Sequence, residues 1–138
     1  MRTAGLICSL CFVEIKLPTT PLLVQQRHRP EVWHASAELS SGVAQSHVTV
    51  EKARRAIGTK LIGRDSDGFE TGISAFASRP RSYLLVGSLD QFLSADGRVS
   101  DEKYLSFEHY RNSLKEPEII IYDELCLRAT NLLQLDEK

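Results

Sequence analysis

Glu14 and Lys16 flank Ile15 in the run Phe12-Val13-Glu14-Ile15-Lys16-Leu17. If that run is extended, both charged side chains leave the same face, about 7 Å apart along the chain. A carboxylate beside an ammonium on a sheet face suits metal-assisted phosphodiester hydrolysis. The carboxylate holds a hard divalent cation through oxygen, and the cation activates water and screens phosphate charge. The ammonium orients that water or neutralises charge developing around phosphorus. Taken alone the pattern is short, and a solvated ion pair is its ordinary meaning.

A second group widens the reading. Ser41, Gln45, Thr49 and Lys52 recur at helical spacing and form one polar stripe. A helix packed beside the Glu14–Lys16 strand would bring Gln45 to the same site and Lys52 toward a phosphate. Arg27, Arg29, Arg54 and Arg55 form a basic set suited to a nucleic-acid backbone. No set of stacking aromatics accompanies them, so sequence-specific single-strand binding is not indicated.

These side chains need elements to position them. The alternation of Val13, Ile15 and Leu17 with Glu14 and Lys16 predicts a strand closed by Pro18. Leu39, Val43, Val50 and Ile57 predict a helix over 36–57, with Gly58 as its cap. Residues 60–62 and 73–76 read as short strands joined at Asp65-Ser66-Asp67-Gly68, a turn that lacks the offsets of a calcium loop. The apolar run over 82–87 reads as a separate buried parallel strand, followed by a polar loop over 88–103. A helix carries Phe107, Tyr110, Arg111 and Leu114 ahead of Pro117. A strand over 118–122 follows, and Asp123 is expected to cap a last helix carrying Leu125, Ala129, Leu132 and Leu133. Strands alternating with helices predict an α/β domain.

The chain has 138 residues, 42% hydrophobic and 25% charged, which fits one domain, 1–138, with a core of its own. No apolar run approaches the ~20 residues of a membrane-spanning helix. Arg2 and the apolar run over 4–13 imitate a secretory signal, but no small-x-small site precedes Glu14, and the run continues into the strand pattern. Cys8, Cys11 and Cys126 give an odd count, and Cys8-x-x-Cys11 lacks a second ligand pair for zinc, so the cysteines are expected in the core of an intracellular protein. The net charge of −1 hides an asymmetry. Residues 1–64 hold nine basic and four acidic side chains, or +5; residues 65–138 hold eight and fourteen, or −6.

Several segments together carry a resemblance. Val13-Glu14-Ile15-Lys16-Leu17-Pro18, Arg29-Pro30-Glu31-Val32-Trp33-His34-Ala35-Ser36-Ala37-Glu38-Leu39 and Gly42-Val43-Ala44-Gln45 resemble the nuclease domain of Shedu anti-phage defence proteins. So do the segments over 79–87, 106–111 and 118–125, in the family's order. That family belongs to the PD-(D/E)XK superfamily. The resemblance implies an α/β restriction-endonuclease-like core, a mixed sheet flanked by helices, and magnesium-dependent cleavage of DNA by a cytoplasmic homo-oligomer with no membrane partner. It implies Glu14, with the main-chain carbonyl of Ile15, as metal ligands, Lys16 as the catalytic lysine and Gln45 as its helix-borne partner. Arg27, Arg29, Lys52, Arg54 and Arg55 are then the DNA-binding candidates. One departure stands out: the superfamily places a further acid on the preceding strand, and residues 1–13 contain no Asp or Glu. The expectation is a carboxy-terminal piece of such a nuclease without its first strand or strands. The rival is a remnant that binds DNA or self-associates without cleaving.

Overall fold

Sixteen consecutive residues, Glu70–Leu85, form the strand on which every other strand leans. The computed structural model describes residues 7–27 and 29–136. In chain order these form β1 (Ile7–Ile15), α1 (Ala37–Ile57), β2 (Lys60–Arg64), β3 (Glu70–Leu85), a 3-10 turn (Leu89–Phe92), α2 (Asp101–Ser113), β4 (Glu118–Ile120) and α3 (Tyr122–Asp136). The sheet is mixed and four-stranded. β1 and β4 lie parallel to β3, and β2 lies antiparallel to it.

The β2–β3 hairpin turns where the Asp-rich tetrapeptide predicts. Asp65 Oδ1 accepts from the N–H groups of Asp67 and Phe69 at 3.0 and 2.9 Å, and Gly68 takes φ 87°. β3 does not break between Phe76 and Ser82, as two separate strands would. Its register with β1 advances from Ser9↔Phe76 to Cys11↔Arg81, so an irregularity over 77–80, the stretch that holds Arg79-Pro80, absorbs three extra residues of β3. On the opposite edge β2 pairs no further than Phe76 and β4 starts at Tyr83. Pro80 therefore sits where no ladder partner asks for its missing N–H.

One face of this sheet carries the core. Leu22, Leu39, Val43, Leu84, Val86, Phe92, Phe107, Ile119 and Ile121 are buried together. α1 starts cleanly because Ser36 Oγ accepts from Leu39 N–H at 2.9 Å and donates to the Pro21 carbonyl at 2.6 Å. Gly58, at φ 70°, closes it as expected. At Gly87, also at positive φ, an added Cβ would lie 2.5 Å from Leu22 Cγ, so the chain needs glycine there.

Val13 and Ile15 on β1, and Leu17 just beyond it, face outward, 53%, 65% and 68% exposed. The charged residues are the ones turned toward α1. Several expectations change. Cys11 and Cys126 are exposed rather than core, and the side chain of Cys8 lies outside the described residues. α2 begins at Asp101, inside the expected loop. α3 begins at Tyr122, so Asp123 is not its cap; its carboxylate accepts from Leu89 N–H at 2.7 Å. Leu125, Leu132 and Leu133 on α3 stay exposed.

Arg111 ties α2, β4 and α3 together. Its guanidinium donates to both Glu124 oxygens at 2.8 and 2.7 Å and pairs with Glu108 at 2.6 Å. It also lies 5.1 Å above the Phe107 ring. Burial, the largest single influence, pushes the Glu124 carboxyl up, but the hydrogen bonds and charge of Arg111, with the Ile121 N–H and the charge of Arg128, together outweigh it and hold the carboxyl below its usual value. A depressed folded-state pKa stabilises the fold above the unfolded value of about 4.3, and this is lost as pH falls through the depressed value. Glu124→Gln should therefore lower stability by about 1–2 kcal/mol at neutral pH, allowing for solvent screening. Urea midpoints from pH 7 to pH 2 should show the gap closing in acid; a gap independent of pH would exclude this role for Glu124.

Candidate functional site

β1 ends under α1. Lys16 N–H donates to the Leu85 carbonyl at 2.9 Å, and strand alternation then turns the side chains of Glu14 and Lys16 to the helix-covered face. Lys16 Nζ stands 3.1 Å from Glu14 Oε1 and donates to Gln45 Oε1 at 2.9 Å. The three residues assigned to one site from sequence are within hydrogen-bonding reach, supplied by a strand and a helix 29 residues apart in the chain. The pair is shielded without being sealed: its side chains are 20% and 30% exposed.

Close approach of α1 makes this possible. Gly42 lies one turn before Gln45, and a Cβ there would stand 3.1 Å from Leu84 Cδ2 and 3.7 Å from Lys16 Cε. The missing methyl leaves room for Leu84, and the lysine stem lies at ordinary contact distance beside it. From the other end, the Tyr122 hydroxyl donates to the Lys16 carbonyl at 2.7 Å, so the first residue of α3 pins the strand terminus. Neither Gly42 nor Tyr122 is given a role by residue type and spacing alone. A buried glycine inside a helix was the available signal.

A pocket of about 50 Å³ opens beside Glu14, lined also by Phe12, Val13, Ser46, Thr49 and Ser82. Ser46 Oγ is buried there with no hydrogen-bond partner, so the pocket has an unsatisfied polar wall next to the carboxylate. Alternation along β1 sends the Ile15 N–H and carbonyl to the edge away from β3, and no other described strand pairs there. A hard divalent cation takes oxygen ligands, and magnesium commonly keeps water and substrate oxygens beside one or two carboxylates. Glu14 and the Ile15 carbonyl fit the lower end of that requirement. Among the described residues no group of three or more His, Cys, Asp or Glu side chains could hold a metal.

The basic candidates are distributed rather than gathered. Arg27 pairs with Glu102 at 3.3 Å, in the first turn of α2. Arg54 lines a groove with Ser113 and Lys115, at the opposite end of α2, about 17 Å of helix rise away. Arg55 pairs with Glu51 at 2.9 Å. Arg29 is exposed in the loop before α1, and Lys52 is exposed two turns beyond Gln45 with no ion pair among the described residues. Arg27 therefore stands beside the start of α2 and Arg54 beside its end.

Comparison with known proteins adds an independent finding. The family model described as Shedu protein SduA, C-terminal, matches residues 1–126. The curated Shedu protein SduA of Bacillus cereus (strain B4264) is 28% identical over 125 residues, covering 91% of this chain and 31% of the relative. The chain thus spans about a third of the length of the curated relative it matches.

The close packing at Gly42 makes a direct prediction. Gly42→Val places a branched side chain against Leu84 and the Lys16 stem and should lower stability by about 2–3 kcal/mol. Denaturant unfolding should show it, with Gly42→Ala costing much less because alanine's helix propensity offsets the overlap. Equal stability of wild type and Gly42→Val would mean that α1 does not approach the sheet this closely.

Proposed function

The chain belongs to the Shedu SduA C-terminal family, and from that premise we propose that it is the nuclease-type domain of an anti-phage defence protein, hydrolysing DNA phosphodiesters with a divalent metal. The observation that carries the proposal is the Lys16 ammonium held between Glu14 at 3.1 Å and Gln45 at 2.9 Å. The PD-(D/E)XK assignment and the restriction-endonuclease-like core follow as parts of the same reading.

In this reading the Glu14 carboxylate and the Ile15 carbonyl hold magnesium, which when bound lowers the pKa of its water and offsets phosphate charge. Lys16 supplies the positive charge that meets the oxygens gaining charge as the phosphodiester opens. Gln45 fixes that ammonium by accepting one hydrogen bond from it, leaving its other N–H groups to face substrate. Ser46 and Thr49 wall the pocket beside the carboxylate, and Lys52 gives the same helix face a phosphate contact. The DNA-binding roles of Arg27, Arg29, Arg54 and Arg55 become separate backbone contacts at two ends of the domain, and assembly into homo-oligomers belongs to the proposal as well.

A second reading has its own support. Glu14 is the single carboxylate lining its pocket, which leaves magnesium with few protein ligands. A DNA-binding or self-associating module without cleavage would carry the same lysine and glutamine as an ordinary polar contact.

Magnesium-dependent cleavage of linear and supercoiled DNA by the 138-residue chain separates the two. Lys16→Ala should reduce cleavage about 10³-fold or more while circular dichroism and the unfolding midpoint stay near wild type, because the ammonium acts on the transition state. Cleavage unaffected by Lys16→Ala would remove the lysine from the mechanism. A folded but inert wild type would favour the non-cleaving module.

A further inference from the structure

The gap on the free edge of β3 holds a second charged feature. β2 leaves β3 at Phe76 and β4 joins it at Tyr83, and Arg79-Pro80-Arg81 fills the interval. A groove of about 650 Å³ runs there between α1 and the α2–β4 turn, lined by His47, Arg54, Arg79, Lys115 and Glu116 among others. A smaller recess of about 190 Å³ continues it past Lys115 to Arg81. The walls are joined, since the His47 Nε2–H donates to the Glu116 carbonyl at 2.6 Å.

The charge of this groove is largely uncompensated. Arg79 and Lys115 are exposed and have no ion pair among the described residues, and Arg54 approaches Glu51 only to 4.0 Å. Glu118, on the rim of the recess, is already paired with Arg128 at 2.9 Å. Arg54, Arg79, Arg81 and Lys115 thus outnumber the one lining carboxylate without an ion pair, Glu116, although Arg81 also hydrogen-bonds the Tyr83 side chain. The larger groove has no Phe, Tyr or Trp in its lining, so it offers charge and no stacking surface for a base. Its α1 residues, His47, Val50 and Arg54, lie about 170° around the helix from Gln45, Thr49 and Lys52. It is therefore a different place from the Glu14 pocket.

We infer that this groove is a sequence-independent docking site for the phosphodiester backbone of a DNA duplex, held by Arg54, Arg79, Arg81 and Lys115 on the far side of α1 from Lys16. The inference rests on DNA as the ligand proposed above and adds where its backbone lies. Positive charge converging on a trough whose larger part has no Phe, Tyr or Trp in its lining reads phosphate and not sequence.

Binding without metal tests it. Fluorescence anisotropy of a labelled 20-base-pair duplex in excess chelator, across a series of salt concentrations, gives affinity and salt slope. Arg79→Ala with Lys115→Ala should weaken binding at least tenfold and flatten the slope of log affinity against log salt by about 1.8, near 0.9 per lost phosphate contact. Arg98→Ala, removing an arginine already 3.7 Å from Asp96, should change neither. An unchanged slope in the double variant, an equal loss in Arg98→Ala, or no duplex binding by wild type would overturn the inference. So would tripolyphosphate displacing the duplex at micromolar concentration, which would assign the groove to a small polyanion. Cleavage followed in parallel keeps the two proposals apart. Cleavage with an unchanged slope removes the groove alone, and a flattened slope without cleavage removes the nuclease reading alone.

Discussion

The approach of α1 to the sheet at Gly42 is the constraint on which the site depends. Two charged side chains point from the end of β1 toward a helix that partly shields them from water. They are accommodated because they meet each other and because Gln45 Oε1 accepts a hydrogen bond from the lysine. A larger residue at position 42 would press on Leu84 and the lysine stem, opening the interface that keeps Gln45 in reach. Packing and polar geometry here are one arrangement.

That arrangement is linked to the opposite end of the domain through main-chain contacts. The Lys16 carbonyl receives the Tyr122 hydroxyl, and two residues later Glu124 is gripped by Arg111 from α2. The short β4 between them is buried against β3. The strand terminus carrying the lysine is thus held from the core side by α1 and from the far side by the start of α3. α1 and α3 meet that stretch of chain at one glycine and one carbonyl, and α2 holds α3 in turn through one carboxylate.

Much of this was legible in the sequence, for local reasons. Alternation around Glu14 and Lys16, the apolar spacing of α1 and the Asp-rich hairpin turn are signals written within a few residues of what they specify. Gln45 was legible because helix periodicity places it on a stripe and the resemblance ties that stripe to the strand. What failed depended on distant partners. Residues 73–76 and 82–87 read as two strands, because the gap between β2 and β4 that lets Pro80 sit inside one long strand is set by distant partners. Alternation separated Val13, Ile15 and Leu17 from Glu14 and Lys16, but a period of two tells which residues share a face and not which face is covered. Asp123 looked like a helix cap, and its partner proved to be Leu89, 34 residues earlier in the chain.

The uncovered outer face of β1 also bears on the thermodynamics of unfolding. Apolar surface already in contact with water adds nothing when the chain opens, so Val13, Ile15 and Leu17, with the α3 leucines, contribute only their covered part to the heat-capacity increment. The increment per residue should lie below the usual value of about 12–15 cal/mol/K, and the denaturant dependence should be correspondingly shallow for a chain this long. A flatter stability curve changes little with temperature. Covering that face would raise the curvature as well as the height.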